Sequence, residues 1–559
     1  MPILESKEVS MQRNRLLALG TALTLLTSCS MSEDTKPVLP KIASITASEQ
    51  AQRFPQYYAQ EIKWEPCVEK QLLTEDIKAG FEQLQIPVET VECATIKAPL
   101  NWEAKNEAET ESIELAVSRI HATQVQQLNH SQAIFTNPGG PGESGRFTWV
   151  EAVSAGQALD VLDSFDLIGF DPRGIGESTP LECEVPADDK DLGEFIKECS
   201  AKNPIAAYMG TSSVARDMEL LRALLKLPQL DYLGYSYGTM LGATYATIFP
   251  ENAGKLVLDS AENAQWATPE HAWKQQVAVA DATLDLVKQC QSEFEPLGWV
   301  EKCPFVSVTD SATQIAQLNE KPLDGEGENK VDGEILRDYL AQGLYQADTE
   351  RAQMFNTIAA ALSGDKTAVE TIFAMDYPFL EASVAEESEG GAFEAPAEAT
   401  DSEDENAEDK SVVGRMIVTC HSFPKKPNLK AVKKEISVDN SNPLLDTEAG
   451  STAVETALDT SCLQAKYVGT DINTRFSAEG MKTPVLVIGV RGDHATPYQY
   501  AQALAKELGN AKLLTLNGPG HGAAYVGKSQ CVDAVVNNYF LSGKLPKKLI
   551  CEPNSLSGE

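Results

Sequence analysis

Leu230-Asp231-Tyr232-Leu233-Gly234-Tyr235-Ser236-Tyr237-Gly238-Thr239 is the stretch on which the reading of this chain turns. Leu230 to Tyr235 is a short apolar run of strand length, and Thr239 to Phe249 is a second run, stopped by Pro250, that suits a helix. Between them Gly234-Tyr235-Ser236-Tyr237-Gly238 leaves room only for a tight turn. A serine on such a strained turn lifts its Oγ clear of the sheet, and the flanking small residues are needed because strand and helix pass close together there. By composition alone G-x-S-x-G arises in roughly one chain in six of this length, so the bare pattern is weak. Its place between a buried strand and a helix is what makes Ser236 a nucleophile candidate.

Upstream of the turn, Ala94 to Leu100, Ser112 to Ser118 and Gln132 to Thr136 have strand character. The last runs straight into Asn137-Pro138-Gly139-Gly140-Pro141-Gly142. Two glycines between prolines continue neither strand nor helix, so the backbone forms an open loop with exposed N–H groups. Such donors, fixed in advance, suit the negative charge that develops on a carbonyl oxygen under attack. The backbone N–H groups of Gly140 and Tyr237 are the candidates for that oxyanion hole. Ser164 to Phe170 is another buried strand, ending in Asp171-Pro172-Arg173-Gly174-Ile175-Gly176-Glu177-Ser178. There Arg173 is expected to hold its loop through backbone carbonyls or an ion pair with Asp171, in preference to binding a substrate carboxylate. Ser213 to Leu227 has amphipathic helical spacing, and Lys255 to Asp259 is the next strand.

From Trp266 to about Lys482 the strand alternation disappears, and His271 to Gln289, Ile335 to Gln346 and Arg351 to Leu362 have helical spacing. Within this region Glu381 to Asp409 is almost uninterrupted Glu, Asp, Ala and Ser, a composition that buries no core and is expected to be a mobile, solvated loop. Strand order returns at Pro484 to Val490, followed by Arg491-Gly492-Asp493-His494-Ala495-Thr496-Pro497. Ala511 to Leu516 is the last strand, followed by Gly518-Pro519-Gly520-His521-Gly522. A carboxylate after the penultimate strand and a histidine after the last give the order Ser236, Asp493, His521, that of a hydrolase triad. Among six histidines, His121 and His130 look exposed, while His271 and His421 lie in the helical region. His494 adjoins the acid and cannot readily make the directed bond to it, so it is expected to line the loop. Asp259, ending its strand, is the competing acid.

The Asn137–Gly142 loop, Phe165-Asp166 with Gly169-Phe170-Asp171-Pro172-Arg173-Gly174 and Gly176, Gly234-Tyr235-Ser236-Tyr237-Gly238-Thr239 and the Asp493 and His521 loops together resemble the α/β-hydrolase serine aminopeptidases. These are the proline iminopeptidase and tripeptidyl aminopeptidase relatives, with their TAP-like C-terminal region. The resemblance covers about residues 60 to 265 and 410 to 551. It implies a mostly parallel eight-stranded sheet with a large helical cap inserted after the sixth strand. It also implies release of residues or short peptides from the free N-terminus of peptide substrates through an acyl-enzyme, with no metal or cofactor. One departure is Ser422, two residues after Cys420, where relatives carry an acidic residue. A carboxylesterase on the same triad is the alternative activity. A binding protein on an inactive hydrolase fold is the alternative of another class, and it has no need of a complete triad and oxyanion loop.

The net charge of −36 over 559 residues argues against nucleic acid and against anionic lipid head groups as surface partners. Arg13 and Arg15 precede an apolar run, Leu16 to Leu26, too short to span a bilayer and ending in Leu26-Thr27-Ser28-Cys29. This resembles a bacterial lipoprotein signal, with Cys29 the acylated residue and Ser30 after it resembling an outer-membrane sorting signal. The expected organisation is a signal over 1–29, a tether over 30–60, and a hydrolase core over 61–265 and 481–559. The cap occupies 266–480. Apart from Cys29, ten cysteines form sequence-local couples: Cys67 with Cys93, Cys183 with Cys199, Cys290 with Cys303, Cys420 with Cys462, and Cys531 with Cys551. Sequence does not dictate connectivity, and short loops favour this pairing.

Overall fold

The computed structural model describes residues 46–70, 72–124, 132–183, 192–327, 329–374, 405–437, 442–445, 451–471 and 476–554, without the side chains of 405–410, 443, 451–453 and 455. These residues belong to one unit, Lys41–Glu559. Cys29 and its apolar run, His130 and residues 381–404 of the acidic stretch lie outside them. In chain order the strands are β1 (Glu65–Pro66), β2 (Val91–Pro99), β3 (Ser112–Ile120), β4 (Ala133–Asn137), β5 (Asp166–Phe170), β6 (Leu230–Tyr235), β7 (Ala253–Asp259), β8 (Leu323–Asp324), β9 (Lys330–Val331), β10 (Val485–Gly492), β11 (Ala511–Pro519) and β12 (Ile550–Cys551).

Ten of them form one sheet in the order β1-β2-β3-β5-β4-β6-β7-β10-β11-β12, parallel from β5 to β12 and antiparallel at the β1, β2 and β3 end. The central strands are apolar on both faces, as a sheet covered by helices on each side requires. Phe135, Ile168, Tyr232, Leu258 and Val487 enter one core, while their neighbours Ile134, Leu167, Leu233, Val257 and Ile488 enter the other. The sheet exceeds the expected eight strands by its two outermost members, β1 and β12. Each has two residues, below the length at which alternation is visible in sequence, and each lies at a disulfide: Cys67–Cys93 beside β1 and Cys531–Cys551 in β12. The other three disulfides are Cys183–Cys199, Cys290–Cys303 and Cys420–Cys462, so all five couples join as the short loops favour.

Between β7 and β10 the described chain is helical apart from the small β8–β9 hairpin. Local signals start its helices. Thr268 caps Pro269–Gln289 by accepting the His271 N–H, Asp332 caps Gly333–Gln342 through the Glu334 and Ile335 N–H groups, and Asp365 caps Lys366–Phe373. Trp273, Phe294, Leu340, Phe355 and Ile358 form a third core inside this insertion. The acidic stretch is not loop to its end: residues 405–409 open the helix Glu405–Ser422, because the apolar run that follows gives the helix a face to bury.

In-register pairing brings Asn137 beside Gly234, Tyr235 beside Asp259, Asp259 beside Ile488, and Gly492 beside Pro519. The carboxyl ends of β4, β6, β7, β10 and β11 therefore finish along one edge, where the loops holding residues 137–142, 236, 259–262, 493–497 and 520–522 meet. In open α/β sheets this is the edge on which ligands bind.

Candidate active site

Ser236 occupies the turn between β6 and the helix Gly238–Ile248 with φ +52°, a left-handed conformation that strains a residue with a side chain. The strain is held in place: the Ser236 N–H donates to the Asp259 carbonyl at 3.0 Å, and the Ser236 carbonyl accepts the Thr239 N–H at 2.9 Å. A side chain on Gly238 would meet the Asn137 carbonyl at 2.7 Å, so the small residue of the elbow is set by the approach of β4.

The glycine-rich loop lies against this turn. A Cβ on Gly139 would lie 2.8 Å from the Tyr235 carbonyl and 2.9 Å from Ser236 Cβ. The Gly139 N–H is taken by Asn137 Oδ1 at 3.0 Å. Among the described residues the N–H groups of Gly140 and Tyr237 have no protein acceptor, the condition an oxyanion hole needs. Tyr237 is itself pinned, its hydroxyl 2.9 Å from Thr211 Oγ1 and its ring 4.9 Å from that of Trp266.

His521 Nδ1 lies 2.9 and 3.1 Å from the two oxygens of Asp493. The carboxylate is oriented by the N–H groups of Ala495 and Thr496 at 3.0 and 2.8 Å and by the Thr496 hydroxyl at 2.9 Å. Burial works to raise the Asp493 pKa, but the charge of His521, its hydrogen bond, and the neighbouring His494 and Thr496 outweigh it and hold the carboxyl at about 2. Burial likewise works to lower His521, and the charge and hydrogen bond of Asp493 reverse this, so its pKa is raised. Ser236 and His521 line the same cavity, and no hydrogen bond joins Ser236 Oγ to His521 Nε2 among the described residues. Pairs of this kind tighten when substrate binds.

That cavity has a volume of about 530 Å³, within the range of small-molecule sites. Its floor includes Gly140 and Ser236, and its roof includes Tyr345, Arg415, Met416 and Phe423 from the helical insertion. Among the described residues its lining includes three acids, Glu143, Glu262 and Asp459. Glu143 accepts a hydrogen bond from Ser411 Oγ at 2.7 Å and lies 3.6 Å from Arg415. Glu262 lies 2.6 Å from His271 Nε2, and the His271 ring stacks on Tyr500 at 4.8 Å. Sequence reasoning did not single out Glu143, Glu262 or Asp459, although the signal for Glu143 was available: an acid directly after the glycine-rich loop.

The other candidates fall elsewhere. Asp259 does not reach His521 Nδ1; its Oδ2 accepts the N–H groups of Ala523 and Ala524 at 3.0 and 2.7 Å. His494 is buried, edge-on to Tyr345 at 4.4 Å, with no hydrogen-bond partner among the described residues. His421 is buried against Tyr467 at 4.3 Å, and His121 pairs with Glu92 at 3.0 Å. Arg173 does hold backbone carbonyls, those of Leu100 and Pro99 at 2.7 and 3.2 Å. Its ion pair, however, is with Asp217 at 2.6 Å and not with Asp171, whose carboxylate is turned to the Arg146 and Glu177 N–H groups. Ser422 is buried at the end of its helix.

Residues 132–289 match the family described as alpha/beta hydrolase fold, and residues 446–551 match the one described as TAP-like protein. Serine protease Hip1 of Mycobacterium tuberculosis is 26% identical over 517 residues, 87% of this chain and 90% of that protein. Tripeptidyl aminopeptidase of Streptomyces lividans is 33% identical over 228 residues, 36% of this chain and 38% of that protein. Carboxylesterase B of Mycobacterium tuberculosis is 27% identical over 501 residues, 83% of this chain and 87% of that protein.

Proposed function

We propose, for a chain that belongs to the α/β-hydrolase-fold serine hydrolases with a TAP-like C-terminal region, that it releases residues or short peptides from the free N-terminus of peptide substrates. The observation that carries this reading is the roofed cavity around Ser236, whose lining includes the acids Glu143, Glu262 and Asp459. A substrate ammonium needs negative charge, and a roof limits how much chain extends beyond the scissile bond.

In this mechanism His521 Nε2 takes the hydroxyl proton as Ser236 Oγ bonds to the carbonyl carbon, and Asp493 stabilises the imidazolium. The carbonyl oxygen becomes an oxyanion held by the Gly140 and Tyr237 N–H groups, each contributing about 3–4 kcal/mol to the transition state. Cleavage of the C–N bond passes the His521 proton to the departing amine, and a water activated by His521 then releases the acyl group. The five disulfides suit an oxidising compartment and support export. With the Leu26–Cys29 motif they underlie a second part of the proposal, an outer-membrane lipoprotein acylated on Cys29 and tethered by residues 30–60.

An esterase activity on the same triad is favoured by the apolar part of the lining, which includes Leu192, Ile196, Trp266 and Val279, and by the similarity to carboxylesterase B. Incubating the protein with free and N-acetylated peptides, followed by mass spectrometry, separates the two. Cleavage of the free forms alone, abolished in Ser236→Ala, is expected, and the products give the number of residues released. Turnover of simple esters with neither peptide form cut overturns the peptidase reading.

A further inference from the structure

A serine, a histidine and one carboxylate complete a triad, yet a second carboxylate, Asp259, lies fully buried beside them. Between them Asp259, Ser260 and Glu262 touch both halves of the site. The Asp259 carbonyl accepts the Ser236 N–H, and its Oδ2 accepts the Ala523 and Ala524 N–H groups just beyond His521. Ser260, at φ +50°, accepts the Gly522 N–H on its Oγ at 2.8 Å. The Glu262 N–H donates to Thr239 Oγ1 at 3.1 Å, on the helix that follows the nucleophile. The end of β7 is therefore the piece of backbone through which the serine's turn and the histidine's loop are held in register.

Structural duty accounts for only one of the two carboxylate oxygens. Oδ1 is buried and has no partner among the described residues. A neutral oxygen can also accept both amides, with weaker bonds but at a smaller desolvation cost than a carboxylate. The groups facing Asp259 are His521, Asp493, Tyr235 and Lys528, and Tyr235 directs its hydroxyl to the Ala524 carbonyl. His521 therefore lies in the field of two carboxylates of unlike environment. Burial lifts Asp259 to about 6, opposed by the two amides and His521, while Asp493 is held at about 2.

We propose that Asp259 is a positioning residue for the reaction: through the Ala523 and Ala524 amides it sets the separation of Ser236 and His521, and its negative charge supports the proton that His521 gains in the transition state. The proposal rests on the serine-hydrolase reading of the site and is independent of which substrate is cut. A negative charge beside an imidazole raises the imidazole pKa, and only neutral His521 accepts the serine proton. Removing the charge but keeping the acceptor therefore moves the acid limb of reactivity to lower pH and lowers the plateau.

The test is the rate at which a fluorophosphonate phosphonylates Ser236 in the full chain between pH 4.5 and 9, with the labelled residue located by mass spectrometry. In that step Oγ bonds to phosphorus, fluoride leaves, and His521 takes the hydroxyl proton. Asp259→Asn retains one oxygen for both amides; its acid limb is expected about 0.5–1 pH unit below that of the parent, with a plateau rate roughly three- to tenfold lower. Asp259→Ala removes the acceptor as well, and its plateau is expected at least about tenfold below that of Asp259→Asn. Coincident acid limbs for the parent and Asp259→Asn overturn the role of the charge, and equal rates for the asparagine and alanine variants overturn the role of the acceptor. Should the alanine variant not fold, the asparagine profile decides alone. A parent that is not labelled at Ser236 removes the serine-hydrolase reading and this proposal together, whereas labelling with coincident limbs removes the proposal only.

Discussion

His494 adjoins Asp493, and burial governs its chemistry. With both ring nitrogens unpartnered among the described residues, burial pushes its pKa down to about 3, against an opposing pull from Asp493. Between about pH 6.5 and 3 the unfolded chain binds a proton at this residue that the folded chain refuses, so its contribution to stability falls as pH falls through that window. Asp259, raised to about 6, works in the opposite sense below pH 6, and Asp493, held at about 2, contributes stability that is lost only as pH drops below the ordinary carboxylate range. His494→Phe keeps an aromatic edge for Tyr345 and removes the two orphaned nitrogens. It is expected to melt about 2–4 °C above the parent at pH 5 and to lose less stability on acidification. Parallel melting curves for the two proteins from pH 7 to 4 would count against this account. At this scale the sequence distinguished His521 from His494 by adjacency, a covalent constraint. It did not distinguish the partner of Arg173, because Asp171 and Asp217 are both available in the chain and only packing selects Asp217.

At the scale of elements, the contact between the glycine-rich loop and the helix Glu405–Ser422 governs the site. Gly142, at φ +102°, lies so close to this helix that a Cβ there would meet the Ser411 carbonyl and come within 2.7 Å of the Arg415 nitrogen. Gly142→Ala therefore strains the backbone and pushes the helix away from the loop that carries the Gly140 donor. The expected result is a fall in kcat of about tenfold or more with KM little changed, and a loss of roughly 1–3 kcal/mol in stability. Parent-like kcat with a folded variant would show that the loop holds its geometry without the helix. The loop was legible because proline and glycine act through local backbone geometry. Its contact with the helix was not, since the two lie nearly 270 residues apart and the start of the helix shares the acidic composition of the stretch before it. The edge strands β1 and β12 escaped for a related reason: two residues carry no period, and only pairing with a neighbour makes them strands.

For the whole molecule the disulfides decide how firmly the parts hold together. Two of them secure the sheet's edges, and Cys420–Cys462 joins the helix that lines the cavity around Ser236 to the 3-10 turn Ser461–Gln464. Each such link typically contributes about 2–4 kcal/mol, so melting with and without a reductant is expected to differ by about 10 °C or more. Indifference to reduction would remove the disulfides as support for an exported protein. The sequence by itself determined the hydrolase order Ser236, Asp493, His521, the glycine-rich loop and the helical character of the insertion, because backbone sterics and apolar periodicity are local properties of the chain. Tertiary structure alone decided that Arg173 pairs with Asp217, which acids line the cavity, and that Asp259 holds the serine's turn and the histidine's loop at once. Those outcomes depend on strand register and on which buried groups find partners, and both arise only when distant segments pack.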